Sequence, residues 1–156
     1  MSQSLANILT HIVFSTKSRQ KLLPKEIRLE LYLYIAGIFK AKNCHCYQVG
    51  GVDDHIHIFC SMPKTMPVSD LIKEIKVSTS IWLKTKDLSS FHWQTGYGIF
   101  SLSPAHFQGL CKYIANQEEH HKDIDFKDEF LGLLKKYNIE YDERYLWDWL
   151  SRSFRT

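Results

Sequence analysis

Residues 53 to 62 hold the strictest pattern in the chain: His55, His57 and Phe59 alternate with Ile56, Ile58 and Cys60. Successive side chains of a β-strand point to opposite faces. A strand here therefore has an apolar face of Ile56, Ile58 and Cys60 and carries both histidines on the other. With the isoleucines anchoring one face, the imidazoles can only project from the opposite side of the sheet. Two rings placed this way can chelate one ion, although a lone His-x-His is equally what two ordinary histidines leave in a sequence.

The neighbouring elements can be read around that strand. Residues 44 to 49 form a second strand-like run, separated from it by Gly50-Gly51, which signals a hairpin and makes the two runs antiparallel neighbours. Residues 8 to 16 are rich in β-branched types and predict a first strand. Pro24 suits a first helical turn, and Ile27, Leu31, Ile35 and Ile38 recur at helical spacing until Asn43. After Pro63 and Pro67, the stripe Val68, Leu71, Ile72, Ile75, Thr79 and Trp82 predicts a second amphipathic helix, with Lys73, Lys76 and Lys84 mostly off the stripe. Another strand is expected over 96 to 102, followed by the cap Ser103-Pro104 and a third helix over about 104 to 121. A short helix near 126 to 137 precedes an aromatic tail of Tyr137, Tyr141, Tyr145, Trp147 and Trp149.

The order β-α-β-β-α-β, then helices, predicts an α+β fold: a ferredoxin-like or RRM-like antiparallel sheet with helices on one face. No internal repeat or low-complexity tract divides the 156 residues, and a chain of that length can bury a self-sufficient core, so one domain over residues 1 to 156 is expected. Hydrophobic residues at 44% against 24% charged exclude a disordered chain. A net charge of +3 permits a polyanion partner without demanding one. The absence of a signal-peptide pattern and of any apolar run near the roughly 20 residues that span a bilayer gives the expectation of a cytoplasmic protein with no membrane partner. Its four cysteines would then be reduced.

In the third helix Tyr113 and Gln117 stand four residues apart, hence on one face, beside a stripe of Phe107, Leu110 and Ile114. A tyrosine there is, by itself, a core or boundary residue. His120 and His121 follow Glu118 and Glu119 and read as a solvated helix end, where cationic histidine suits the dipole.

Taken jointly, five segments resemble the single-tyrosine HUH transposases, the TnpA-type enzymes of small bacterial insertion sequences, and their relatives associated with repetitive extragenic palindromes (REP). They are His11 to Arg19, Val52 to Phe59, Trp93 to Ser101, Tyr113 to Gln117 and Tyr141 to Trp147, in the expected order along nearly the whole chain. The resemblance implies that His55 and His57 bind a metal, that Tyr113, on a helix towards the C-terminus, is the nucleophile, and that Gln117 completes the metal site through its side-chain oxygen. It further implies a substrate of single-stranded DNA carrying hairpins, a homodimer, and a divalent ion, Mg²⁺ or Mn²⁺. Imidazole plus an amide oxygen suits Mn²⁺ better than Mg²⁺. Lys17, Arg19 and Lys76 are the first candidates for DNA contacts, with Phe91 and Trp93 as stacking surfaces for unpaired bases.

Three other readings stay open at this level. Cys44 and Cys46 could join His55 and His57 in a structural zinc site. An RRM-like module could bind single-stranded nucleic acid without cutting it. A domesticated transposase could keep the residues and have lost the reaction.

Overall fold

The computed structural model describes residues 2–147. Along the chain lie β1 (Leu9–Ser15), α1 (Lys25–Ala41), β2 (Cys46–Gly51), β3 (His55–Ser61), α2 (Val68–Lys84), β4 (Gly98–Ser101), α3 (Phe107–Ala115), α4 (Gln117–His120), α5 (Phe126–Lys136) and α6 (Glu143–Leu146). The strands form one antiparallel sheet in the order β2-β3-β1-β4, the ferredoxin-like arrangement expected from the element order. Trp149, the last of the expected aromatic tail, lies outside the described residues.

β1 is buried along its whole length, because β3 and β4 pair with its two edges and helices cover both faces. One face of the sheet carries Ile12, Phe14, Ile56, Ile58 and Cys60. Against it pack Leu31, Ile35 and Phe39 of α1 and Leu71, Ile72, Ile75 and Leu83 of α2. The other face carries Leu9, His11, Val13, His55, His57 and Phe59, and is covered by α3 through Ile114 and by α5 through Phe126, Phe130 and Leu134. Period-two alternation thus sends the isoleucines and the histidines to opposite faces, as the sequence predicts.

Helix ends follow local chemistry. After α1, Asn43 takes a left-handed φ of 56°. The Asn43 and Cys44 amides then bond back to the Lys40 and Phe39 carbonyls at 3.1 and 3.0 Å, the paired arrangement by which an asparagine or glycine closes a helix. Asn138 repeats it after α5, with a φ of 53° and bonds to Lys135 and Leu134. At the other end of α5, Asp125 caps the Asp128 amide at 2.9 Å.

Two expectations are corrected here. The expected helix over 104 to 121 is broken: α3 stops at Asn116, whose ψ of 23° departs from helical geometry, and α4 begins at Gln117. The hairpin does not turn at Gly50-Gly51. Both glycines belong to β2, pairing with His57 and Ile56, and the turn falls on residues 52 to 54. Their role is close approach. A Cβ on Gly50 would meet the Ile114 carbonyl, and one on Gly98 would sit 2.6 Å from the Phe130 ring. Gly50, His57, Val13 and Gly98 form one row across the four strands, so the glycines at its two ends seat α3 and α5 on either side of the histidine strand.

That placement predicts a contrast between glycines. Gly50→Ala should cost about 1–3 kcal/mol, the usual penalty for overpacking, read as a lower denaturation midpoint. Gly37→Ala, in α1 with nothing within 4 Å of a new Cβ, should be neutral or stabilising by up to ~1 kcal/mol.

Candidate active site

His55 and His57 reach the face under α3, α4 and α5 and are fully buried. Five elements converge on them: β3 itself, β1 with His11, α3 with Tyr113, α4 with Gln117, and α5 with Glu129. Glu129 is the centre of the cluster. Its Oε1 lies 2.9 Å from His57 Nε2, 3.3 Å from His55 Nε2 and 3.0 Å from His121 Nε2. Its Oε2 accepts from the Tyr113 hydroxyl, from Gln117 Nε2 at 3.2 Å and faces His120 Nε2 at 3.1 Å. The carboxylate is 6% exposed, and among the described residues its ion-pair partners are all histidines.

The outer nitrogens of these rings are also engaged. His55 Nδ1 is 2.6 Å from Asp54 Oδ1, His121 Nδ1 is 2.6 Å from the Ile124 carbonyl, and His57 Nδ1 is 2.7 Å from His11 Nε2. A carboxylate and a carbonyl only accept, so Nδ1 of His55 and of His121 must carry the proton. In their neutral forms both rings then turn a bare Nε2 lone pair towards oxygen: Glu129 Oε1 for both, and for His55 also the Gln117 Oε1 at 3.1 Å. Acceptors facing acceptors in a buried site need a proton or a cation between them.

For His55, without a cation, a proton on Nε2 is the answer. Burial disfavours its charged form, but the bonds to Asp54 and Glu129, with the charges of both carboxylates, outweigh burial and hold its pKa up at about 9. Burial pushes His57 down to about 4, so that ring is neutral. Burial also opposes the Glu129 carboxylate, yet hydrogen bonds from His121, His55 and His57 keep it well below the usual carboxylate range. The Tyr113 phenol is raised by burial first, then by the bond to Glu129 and its negative charge.

The donor set suits a divalent cation. One ligand atom each from His55, His57, His121 and Glu129 lies within 4.8 Å of the others, and the Gln117 oxygen is at the same place. Asp54 and His11 behind the rings are the kind of outer partners that fix a ligating imidazole's tautomer.

Of the residues expected from sequence, His55, His57, Tyr113 and Gln117 meet within one chain. Lys17 and Arg19 lie in the short turn just past β1, whose last residue pairs with His55; the Arg19 guanidinium is 4.8 Å over the Trp147 ring. Lys76 is elsewhere. It stands on α2, across the sheet from the histidines, where its ammonium donates to the Gln94 and Gly96 carbonyls at 2.8 and 2.7 Å and sits over the Phe14 ring. Burial lowers its pKa to about 8. It braces the loop before β4. Phe91 and Trp93 are core residues of that same face, Trp93 donating to Thr79 Oγ1 at 2.8 Å, and so are not stacking surfaces for DNA. The zinc reading fails on the same geometry: Cys46 pairs with Cys60, and Cys44 and Cys46 pack on the face away from the histidines.

His120 and His121 were expected as a solvated helix end and instead close on Glu129. Glu129 itself went unread in the sequence. Its signal is a lone acid inside the apolar stripe Phe126, Phe130, Leu133 and Leu134 of α5, where an unpaired carboxylate would be costly.

A family model described as "Transposase IS200 like" matches residues 4–117, ending before His120, His121 and Glu129. Two solved structures are similar in fold. One is a candidate transposase from Deinococcus radiodurans R1, with a TM-score of 0.56 and 18% identity over 75% of this chain and 98% of that one. The other is a REP-associated tyrosine transposase bound to a REP hairpin, with a TM-score of 0.56 and 15% identity over 78% of this chain and 74% of that one. No curated protein matches the chain in a sequence search.

The protonation of His55 sets the expected metal response. Its Nε2 must lose a proton before it can bind a cation, so Mn²⁺ uptake at pH 7 should release about one proton per site. This is measurable by titration calorimetry in buffers of different ionisation enthalpy. With the pKa raised to about 9, apparent affinity should climb about tenfold per pH unit below pH 9 and level off above it. At 100 times its dissociation constant Mn²⁺ should stabilise the fold by about 2.7 kcal/mol, and a chelator should reverse this.

Proposed function

The chain belongs to the IS200-like transposase family, and on that premise we propose that it cuts and rejoins single-stranded DNA at hairpin-bearing ends through a 5′-phosphotyrosine on Tyr113. The observation that carries the reading is the bond from the Tyr113 hydroxyl to Glu129 Oε2, on the carboxylate whose other oxygen faces three imidazoles.

Tyr113 supplies the nucleophile and Glu129 the proton acceptor. The phenol is protonated at rest, since burial and the adjacent carboxylate both oppose a phenolate, so its proton moves to Glu129 Oε2 as the oxygen attacks phosphorus. The new bond joins the tyrosine oxygen to the 5′-phosphate. The bond that breaks is phosphorus to the 3′-oxygen, which departs with the proton returned by Glu129. A phosphodiester is exchanged for another of similar energy, so a 3′-hydroxyl from a second DNA end reverses the step and joins strands without a nucleotide cofactor.

His55, His57 and His121, with the Gln117 oxygen and Glu129 Oε1, would hold a divalent cation, and three imidazoles favour Mn²⁺ over Mg²⁺. When bound there, the ion supplies Lewis-acid polarisation of the scissile phosphate. His11 and Asp54 orient the two β3 rings. Lys17 and Arg19, just beyond the strand end beside His55, are two cations placed for the DNA backbone. The homodimer implied by the family resemblance belongs to the same reading, with the whole residue set inside each protomer.

The test uses wild-type protein, Mn²⁺ and a single-stranded oligonucleotide carrying a hairpin copied from the DNA flanking the gene. Wild type should give an adduct that survives denaturing electrophoresis, and Tyr113→Phe none. Glu129→Gln should slow adduct formation by about 10²-fold or more, the usual weight of a positioned base. An adduct persisting in Tyr113→Phe would overturn the assignment.

A further inference from the structure

A cleft of about 950 Å³ lies between α3 and α5 and leads to Tyr113. Its floor includes the buried His11 and Glu129, its walls Leu102, Leu110, Leu133 and Tyr137, and its exposed rim Ser103, His106 and Lys136. A second cavity of about 490 Å³, between α1, β2 and α4, does not include Tyr113.

Two glycines line this cleft, Gly109 in the first turn of α3 and Gly132 in the middle of α5. Glycine inside a helix costs about 1 kcal/mol relative to alanine. Neither has a positive φ, and a Cβ on either would meet nothing within 4 Å. Backbone geometry therefore does not require glycine at these positions, and neither does packing within the chain. What the two absent side chains leave is room, on both sides of one cleft.

We propose that this cleft seats an unpaired nucleobase of the strand whose phosphate meets Tyr113, and that Gly109 and Gly132 keep it open. The inference rests on the reading of Tyr113 as nucleophile for single-stranded DNA. A phosphate at the Tyr113 hydroxyl brings its two flanking nucleosides within a few ångströms, and Tyr113 and its hydrogen-bond partner Glu129 both line the cleft. Aliphatic and aromatic walls suit the faces of a base, which single-strand binders hold by stacking and apolar contact. Polar groups sit where a nucleotide needs them: His106 and Ser103 at the rim for base edges, and the Lys136 ammonium for the next phosphate.

Filling the cleft tests this without touching the chemistry. Gly109→Leu and Gly132→Leu are compared with Gly37→Leu, an equally unencumbered helix glycine outside the cleft. Binding of a labelled, mixed-sequence single-stranded 20-mer is followed by fluorescence anisotropy, beside an abasic 20-mer of the same length. Gly109→Leu and Gly132→Leu should weaken 20-mer binding by about tenfold or more, comparable to losing one stacked base. Gly37→Leu should bind as wild type, the abasic strand should bind wild type more weakly, Mn²⁺ affinity should hold in all three variants, and their thermal midpoints should hold or rise. The proposal is overturned if the cleft variants bind the 20-mer like wild type, if wild type does not distinguish the abasic strand, or if the substitutions change only the oligomeric state, which would make the cleft a seat for a second copy. Failure of the adduct assay would strike the nucleophile assignment alone, because binding is measured without cleavage.

Discussion

The carboxylate of Glu129 is buried among four imidazoles, an amide and a phenol, with no lysine or arginine among its described ion-pair partners. A buried charge is tolerable only when paired and fully hydrogen-bonded, so these groups must arrive together. Each comes from a different element: the ring pair from β3, the phenol from α3, the amide and two further rings from α4 and its end, and the carboxylate from α5. The helices after β4 are thus tied to the sheet by a polar cluster as well as by the apolar contacts of Ile114, Phe126 and Phe130.

The sheet makes that convergence possible through what it leaves out. In the row Gly50, His57, Val13 and Gly98, a side chain at either end would collide with Ile114 or Phe130. The helices therefore come down close on both sides of His57, and the gap between them remains as the cleft above Tyr113. His57 is thereby fully buried, and the His11 ring bonded to it lines the cleft. This is why His57 is driven neutral by burial while His55, one pair along and backed by Asp54, holds a proton. Two chemically identical rings two residues apart are set to different states by what stands behind each.

The opposite face has another task. There Ile56, Ile58, Phe14, Phe91 and Trp93 form the main core with α1 and α2, and Lys76 is spent on two loop carbonyls. A lysine off the apolar stripe of a helix looks in sequence like a free surface cation. Whether it is free depends on which loop folds over it, which helical periodicity does not contain.

By itself the sequence determined the strand alternation that separates histidines from isoleucines, the order of elements and hence the sheet, and the asparagine helix stops. These are local properties with fixed periods of two and about 3.6 residues, legible wherever a pattern runs long enough. Only the tertiary structure decided that Gly50-Gly51 lies within β2 with Gly50 seating α3, that the helix breaks at Asn116, that His120 and His121 fold inward, and that Glu129 is the hub. Those outcomes depend on contacts between separate elements, such as Gly50 against Ile114 and His57 against Glu129, and nothing in the spacing of one segment records which group of another will meet it.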